Sequence, residues 1–389
     1  MKLLLFLAAL MIALAGCSGQ GQPTSRSRSA PAQGASGTSS AATPAAELPS
    51  TAQVSGPMLA VLEGAYAAKG AQADRVAIVG LDGVARAEAT FQPRKAPFLG
   101  NVSDVLQSQA QVGDAGVYYI DGYGVVRLLK PSGESTVVAT FAMTPEQHEV
   151  WYAVSRDGSR LLAGVLAAPA VGPAALGQPW PSLVGSWKFD LEIANAGGPT
   201  RVLQHVESAQ HPDLQGSWTP SFPVGWTQGG PIVMVGASIA TQNAWWGGPL
   251  FTIDGDGRPM QRIAGSDCTA ASVLPSGLVP CITTGFDTRV TVRDTSGRVL
   301  WKPSVDGFNA LQLRLSPAGD AISDGVHAAT RAKVVALPDG FRAQGWIDSQ
   351  TVVGRQGDGN LSYIRLDAPG VLHDLGFKGD FVGVLPSRV

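Results

Sequence analysis

Seven times after residue 57, a short alternating apolar strand runs into a tight turn ending in glycine. The copies are VAIVGLDG at Gly83, VVRLLKPSG at Gly133, LEIANAGG at Gly198, LFTIDGDG at Gly257, VTVRDTSG at Gly297, KVVALPDG at Gly340 and YIRLDAPG at Gly370. Another short strand follows each, RAEATF after the first and RVLWKP after the fifth, so each turn marks a β-hairpin. A second turn lies between these hairpins with apolar strands on both sides. It occurs as Val154-Ser155-Arg156-Asp157-Gly158, Val273-Leu274-Pro275-Ser276-Gly277, Leu315-Ser316-Pro317-Ala318-Gly319 and Val384-Leu385-Pro386-Ser387. Looser versions stand at Gly113 to Gly116, Trp226 to Gly230 and Trp346 to Gln350.

Two alternating hairpin turns per unit require four antiparallel strands per unit, which is the blade of a β-propeller. Seven units over residues 57–389 average about 48 residues, slightly above the common blade length. The expected fold is therefore all-β, a β-propeller of seven four-stranded blades, with six and eight as the neighbouring counts. The ends of the repeat fit closure. Met58 to Tyr66 and Arg75 to Phe91 supply three strands, and Phe381 to Pro386 supplies a single innermost one. Joined, they make one blade without a free edge at the seam. The competing reading makes Met58 to Tyr66 a short helix, with Leu59, Leu62 and Tyr66 on one face.

These turns resemble the repeats of bacterial TolB-like and WD-like propellers, whose inner hairpin often carries Ser-Pro-Asp-Gly before an apolar strand. Ser155-Arg156-Asp157-Gly158 before Arg160-Leu161-Leu162-Ala163 is the best copy, whereas Ser316 to Gly319 has Ala318 in place of the aspartate. The resemblance implies the fold and no particular activity.

Upstream of the repeat, Lys2 precedes an unbroken apolar run from Leu3 to Leu14, the layout of a secretory signal too short to span a bilayer. The run ends in Leu14-Ala15-Gly16-Cys17, which resembles the lipobox of bacterial lipoproteins. The resemblance implies cleavage after residue 16 and lipidation of Cys17, with enough acyl chains for stable anchoring. Ser18 resembles the outer-membrane sorting type, giving outer-membrane placement in a two-membrane cell and the outer face of the cell membrane otherwise. From Ser18 to Gly56, 34 of 39 residues are Ser, Ala, Gly, Pro, Thr or Gln. Such a stretch cannot offset its ordering entropy, and as a coil it spans about 35 Å. The expected organisation is thus a signal peptide over 1–16, a lipidated cysteine and linker over 17–56, and the propeller over 57–389.

With 44% hydrophobic residues, 15% charged residues and a formal charge of −2, the chain can bury a large core but offers no basic surface for nucleic acid. Cys268 and Cys281 flank the Leu274 to Gly277 turn almost symmetrically, so antiparallel pairing brings them across adjacent strands of one blade, and a disulfide is expected. Neither has a partner at metal-ligand spacing. The five histidines form no His-Glu-x-x-His or His-x-His, and no Gly-x-Ser-x-Gly occurs. No catalytic residue, metal or cofactor is assigned. Asp254-Gly255-Asp256-Gly257 lacks the later calcium-binding glutamate and reads as a hairpin turn.

Six of nine tryptophans, Trp180, Trp187, Trp218, Trp226, Trp245 and Trp246, fall in the units with the longest interruptions of the repeat, near 167–185 and 238–248. Adjacent residues of a strand point to opposite sides, so Trp245 and Trp246 cannot both enter one sheet face. Trp226, Trp245 and Trp246 are the candidate binding residues, set against the alternative that large rings fill the wedges between blades. The leading expectation is a non-catalytic envelope module, anchored in the membrane through Cys17 and holding a protein or glycan partner. A small-ligand sensor and a propeller-based hydrolase are the rivals.

Overall fold

The computed structural model describes residues 56–63, 74–92, 110–144, 148–167, 170–174, 181–184, 188–207, 221–235, 248–283, 289–304 and 313–386. Among them every regular element is a strand. Seven sheets contain four antiparallel strands each. Blades 1 to 6 span 110–140, 148–207, 222–262, 268–301, 314–336 and 342–378. Blade 7 takes Met58–Glu63, Asp74–Gly80 and Ala85–Phe91 from the start of the ring and Asp380–Leu385 from its end. The innermost strands are Ala110–Gly113, His148–Val154, Phe222–Thr227, Cys268–Thr269, Arg314–Leu315, Arg342–Trp346 and Asp380–Leu385. They line the axis, and Asp380–Leu385 touches both Arg342–Trp346 and Ala110–Gly113, closing the ring. The chain is a seven-bladed β-propeller.

The seam is antiparallel, with Met58 opposite Leu385, Leu59 opposite Val384 and Ala60 opposite Gly383 before a register shift. Met58–Glu63 is a strand and not a helix. Its four central residues, Leu59 to Leu62, are all buried, because blades 6 and 1 cover its two faces. A helix would bury one stripe only. The core is accordingly distributed between blades. Trp151, Phe189 and Phe222 fill the wedge between blades 2 and 3, with ring centroids 4.7 Å apart for Trp151 and Phe222 and 6.0 Å for Phe189 and Phe222.

The serine turns have a local cause. Ser155 Oγ accepts from Arg160 N at 2.9 Å and donates to Asp157 at 2.6 Å, so the turn caps the first bond of the next strand. Ser316 Oγ accepts from Ala321 N in the same way at 3.1 Å. Ala318 leaves no carboxylate in the turn there, and Asp320 takes the serine proton instead at 2.9 Å.

One turn sits elsewhere than its sequence implies. Val334–Ala336 is the outermost strand of blade 5, so Gly340 belongs to the connection into blade 6. The hairpin before that strand runs through Arg331 to Lys333, closed by the Thr330 hydroxyl, which accepts from Ala332 N and Lys333 N at 3.3 Å.

Candidate functional site

Strand direction alternates across each blade, so the first-to-second and third-to-fourth turns emerge on one face of the ring. Second-to-third connections and the links between blades emerge on the other. Several turns of the first face bond one blade to the next. Asp114 N donates to Arg156 O at 2.9 Å between blades 1 and 2, Trp301 Nε1 to Gly319 O at 2.8 Å between blades 4 and 5, and Ser349 Oγ to Asp320 at 2.5 Å between blades 5 and 6.

The second face carries the two interruptions of the repeat, as second-to-third connections of the adjacent blades 2 and 3. In blade 2 the connection includes its own hairpin, Ala170–Ala174 paired with Pro181–Val184. In blade 3 it runs from Met234 to Leu250. Trp245 and Trp246 belong to it and lie outside the described residues, as do Cys17, Trp180, Trp187 and Trp218. Trp226 sits on the innermost strand of blade 3 at 7% exposure, packed in the core, with the Arg160 guanidinium 5.2 Å from its ring centre.

Cys268 and Cys281 form a disulfide on adjacent strands of blade 4, with Cα atoms 5.1 Å apart. The pairing is diagonal. Cys268 stands opposite Thr283 and Thr269 opposite Ile282, after which Ala270 leaves the blade to bridge Gly248 of blade 3. Beside it, Arg293, with its side chain 8% exposed, makes a bidentate pair with Asp267 at 2.6 and 2.8 Å and donates to Ala264 O at 3.2 Å. The hydrogen bonds from Arg293 hold the Asp267 carboxyl down to about 2. Ala264 sits at φ +63°, a left-handed conformation unfavourable for alanine, and its own N–H donates to Thr295 O. This constellation fixes the link between blades 3 and 4.

His205 is a candidate for proton transfer only on first inspection. Its Nδ1 lies 2.5 Å from Asp190 and its Nε2 3.1 Å from Glu207. Hydrogen bonds to both carboxylates raise its pKa and favour the imidazolium, which has no free nitrogen to act as a base. Asp324 is fully buried and accepts from Val326 N at 3.0 Å and His327 N at 2.6 Å, so it serves the second-to-third turn of blade 5. Among the described residues, no group of three or more His, Cys, Asp or Glu is placed to hold a metal ion.

A different situation holds one strand away. Arg314, on the innermost strand of blade 5, pairs in register with Ser323 on the second strand, and Ser323 pairs with Ala328 on the third. Paired residues share a face of the sheet. Ala321 and Ala328 on that face pack against Phe341, Ala343 and Trp346 of blade 6, so Arg314 and Ser323 look into the cleft between blades 5 and 6. Among the described residues the Arg314 side chain makes one hydrogen bond, from Nη1 to the neighbouring Leu313 O at 3.1 Å, and no ion pair. Surrounding protein pushes its pKa down, yet the residue keeps some exposure to solvent. The Ser323 hydroxyl is buried and has no hydrogen-bond partner among the described residues. Neither residue belongs to a sequence motif.

No family model matches this chain, and no curated protein matches it in sequence. Among solved structures it is similar to hydrazine synthase of Kuenenia stuttgartiensis, with 14% identity and a TM-score of 0.39 over 71% of this chain and 85% of that one. It is similar to oligogalacturonate lyase from Vibrio parahaemolyticus, with 10% identity and a TM-score of 0.43 over 82% and 90%. It is also similar to BamB from Moraxella catarrhalis, with 14% identity and a TM-score of 0.39 over 72% and 88%. At such identities and scores nothing about activity transfers, and the assignment as a propeller stands on the strand order and register of the chain itself.

Proposed function

We propose that this chain is a lipid-anchored, non-catalytic binding propeller of the cell envelope. Acyl chains on Cys17 hold it at a membrane, the Ser18–Gly56 stretch gives it reach, and the face of the second-to-third connections receives a protein or glycan partner. The observation that carries this reading is the placement of both interruptions of the repeat on one face. They lie side by side there, as second-to-third connections of blades 2 and 3, whereas the turns of the opposite face are short and several are bonded to the next blade. Loops carried on a rigid scaffold are where folds of this kind acquire binding residues. The disulfide in blade 4 fits an oxidising compartment.

The test is a double replacement, Trp245→Ala with Trp246→Ala, in the mature chain. Partner recovery from crosslinked envelopes should fall at least about tenfold, the loss of about 1.4 kcal/mol that one aromatic anchor commonly exceeds, with the melt unchanged. Equal recovery from the double variant and the wild type would remove those residues from the docking surface.

A further inference from the structure

Arg314 and Ser323 form an unassigned polar pair, and we propose that the inner end of the cleft between blades 5 and 6 binds the carboxylate group of a small monoanionic ligand entering from the central channel. The site is independent of whichever partner the loop face holds. Five observations lead to it.

The guanidinium has five N–H donors, of which one goes to Leu313 O, and no carboxylate among the described residues neutralises it. A partly buried charge without a counter-ion is unfavourable, and a chain that needs only packing places an apolar residue there. The Ser323 hydroxyl is a second unsatisfied group, 0% exposed, in register with Arg314 on the same face. Its neighbours on that face, Ala321 and Ala328, are small, so no large side chain of blade 5 covers it. The backbone beneath is fixed, because Trp346 Nε1 of blade 6 donates to Arg314 O at 3.0 Å, tying the two innermost strands together where the guanidinium leaves the chain.

The ligand chemistry follows from charge and shape. A carboxylate presents two oxygens to the guanidinium fork in a planar, two-bond arrangement, and one of its oxygens also accepts the Ser323 proton. One unpaired cation matches one negative charge. Among the described residues, Lys333 of the third-to-fourth hairpin is a second cation bordering this cleft, and its ammonium is on Leu366 O at 2.7 Å. Arg342 and Arg355 are opposite one another on the face toward blade 7, where Asp380 accepts from Arg355 at 3.3 Å. A dianion such as phosphate would therefore remain half neutralised beside Arg314.

The experiment uses the mature full chain and four probes at matched ionic strength: sodium acetate, sodium glucuronate, sodium chloride and sodium phosphate. Thermal melts of the wild type should rise saturably with at least one carboxylate, by about 5 °C at a concentration about a hundred times its dissociation constant, with chloride and phosphate giving no saturable rise. Arg314→Met should abolish the rise and, without ligand, melt at or above the wild type, since it removes a charge that has no native partner. Ser323→Ala should leave the ligand-free melt at or above the wild type and weaken carboxylate binding about tenfold, the effect of one hydrogen bond to a charged group. Arg314→Lys, which keeps the charge and loses the fork, should bind more weakly than the wild type. Three results would overturn the proposal: an Arg314→Met chain that keeps the carboxylate response, saturation by phosphate alone, or melts of the wild type indifferent to both carboxylates.

Discussion

Replacing Leu385 with alanine probes the seam at the buried end of its closing strand. Leu385 is 3% exposed, stands opposite Met58 and packs in one cluster with Ala60, Leu62, Ile78, Val117, Tyr119 and Leu129, residues of blades 7 and 1. Truncation removes the side chain beyond Cβ, a loss of about 2.5 kcal/mol at about 0.8 kcal/mol for each methylene-sized group. The walls around it are strands paired on both sides, which relax little, and the residual void adds about 1 kcal/mol. The expected destabilisation is therefore about 3.5 kcal/mol, read as a shift in urea midpoint with unchanged slope and as a fall of about 7 °C in Tm. Leu372→Ala, at a position 39% exposed, is the control and should stay within about 0.5 kcal/mol. A stop codon in place of Asp380 removes the whole strand and should abolish the cooperative transition, whereas one in place of Ser387 keeps the strand and the transition. A Leu385→Ala chain within about 0.5 kcal/mol of the wild type would refute the seam, because a residue outside the core is the only kind that tolerates such a loss.

Removing the disulfide by Cys268→Ala with Cys281→Ala should cost about 3 kcal/mol from the 13-residue separation, and mass spectrometry of the wild type should show a gain of two hydrogens on reduction. Asp267, held down to about 2 by its hydrogen bonds from Arg293, contributes stability that is fully present above the ordinary carboxylate value of about 4 and lost as pH falls through about 2. Its side chain is 54% exposed, so screening limits the contribution to about 1 kcal/mol. Asp267→Asn should trail the wild type in urea midpoint at neutral pH, with the gap closing between about pH 4 and pH 2. Gly158→Ala, at φ +72° with a Cβ that would lie 1.7 Å from the Tyr118 hydroxyl, should destabilise by about 3 kcal/mol. Gly133→Ala, at φ +87° with nothing within 4 Å, should cost only about 1 kcal/mol, and equal costs at both positions would contradict the packing of blade 2 against blade 1.

Sequence and structure agree where a local rule determines the outcome. Alternating apolar strands with glycine turns identify the hairpins, and the unmatched innermost strand at Asp380–Leu385 identifies the closing blade. The symmetric flanks of the Leu274 to Gly277 turn bring Cys268 and Cys281 together. They diverge where the outcome depends on register or on a neighbour. Pro338-Asp339-Gly340 has ideal turn chemistry, but turn chemistry says that the chain reverses, not which strands it joins. The actual hairpin at Arg331 to Lys333 contains neither glycine nor proline and is closed by a threonine hydroxyl. The diagonal geometry of the disulfide arises because Ala270 pairs with another blade, which spacing within blade 4 does not encode. Arg314 and Ser323 were illegible for the same reason. They are nine residues apart in a stretch without any catalytic pattern, and only the two-residue register of Arg314–Leu315 against Ala321–Ser323 places them on one face. Trp226 is packed in the interblade core, as the need for large rings in the wedges allows.

The central claim is that a propeller tethered at the envelope holds a partner on its loop face. Crosslinking in intact cells, followed by affinity recovery of the wild type and of Cys17→Ser, tests it most directly. The account predicts a reproducible protein or glycan partner recovered with the wild type and lost with the unanchored variant, together with acyl-chain labelling of the wild type alone. Equal recovery of the same material with both forms, or no acyl label on Cys17, would contradict it.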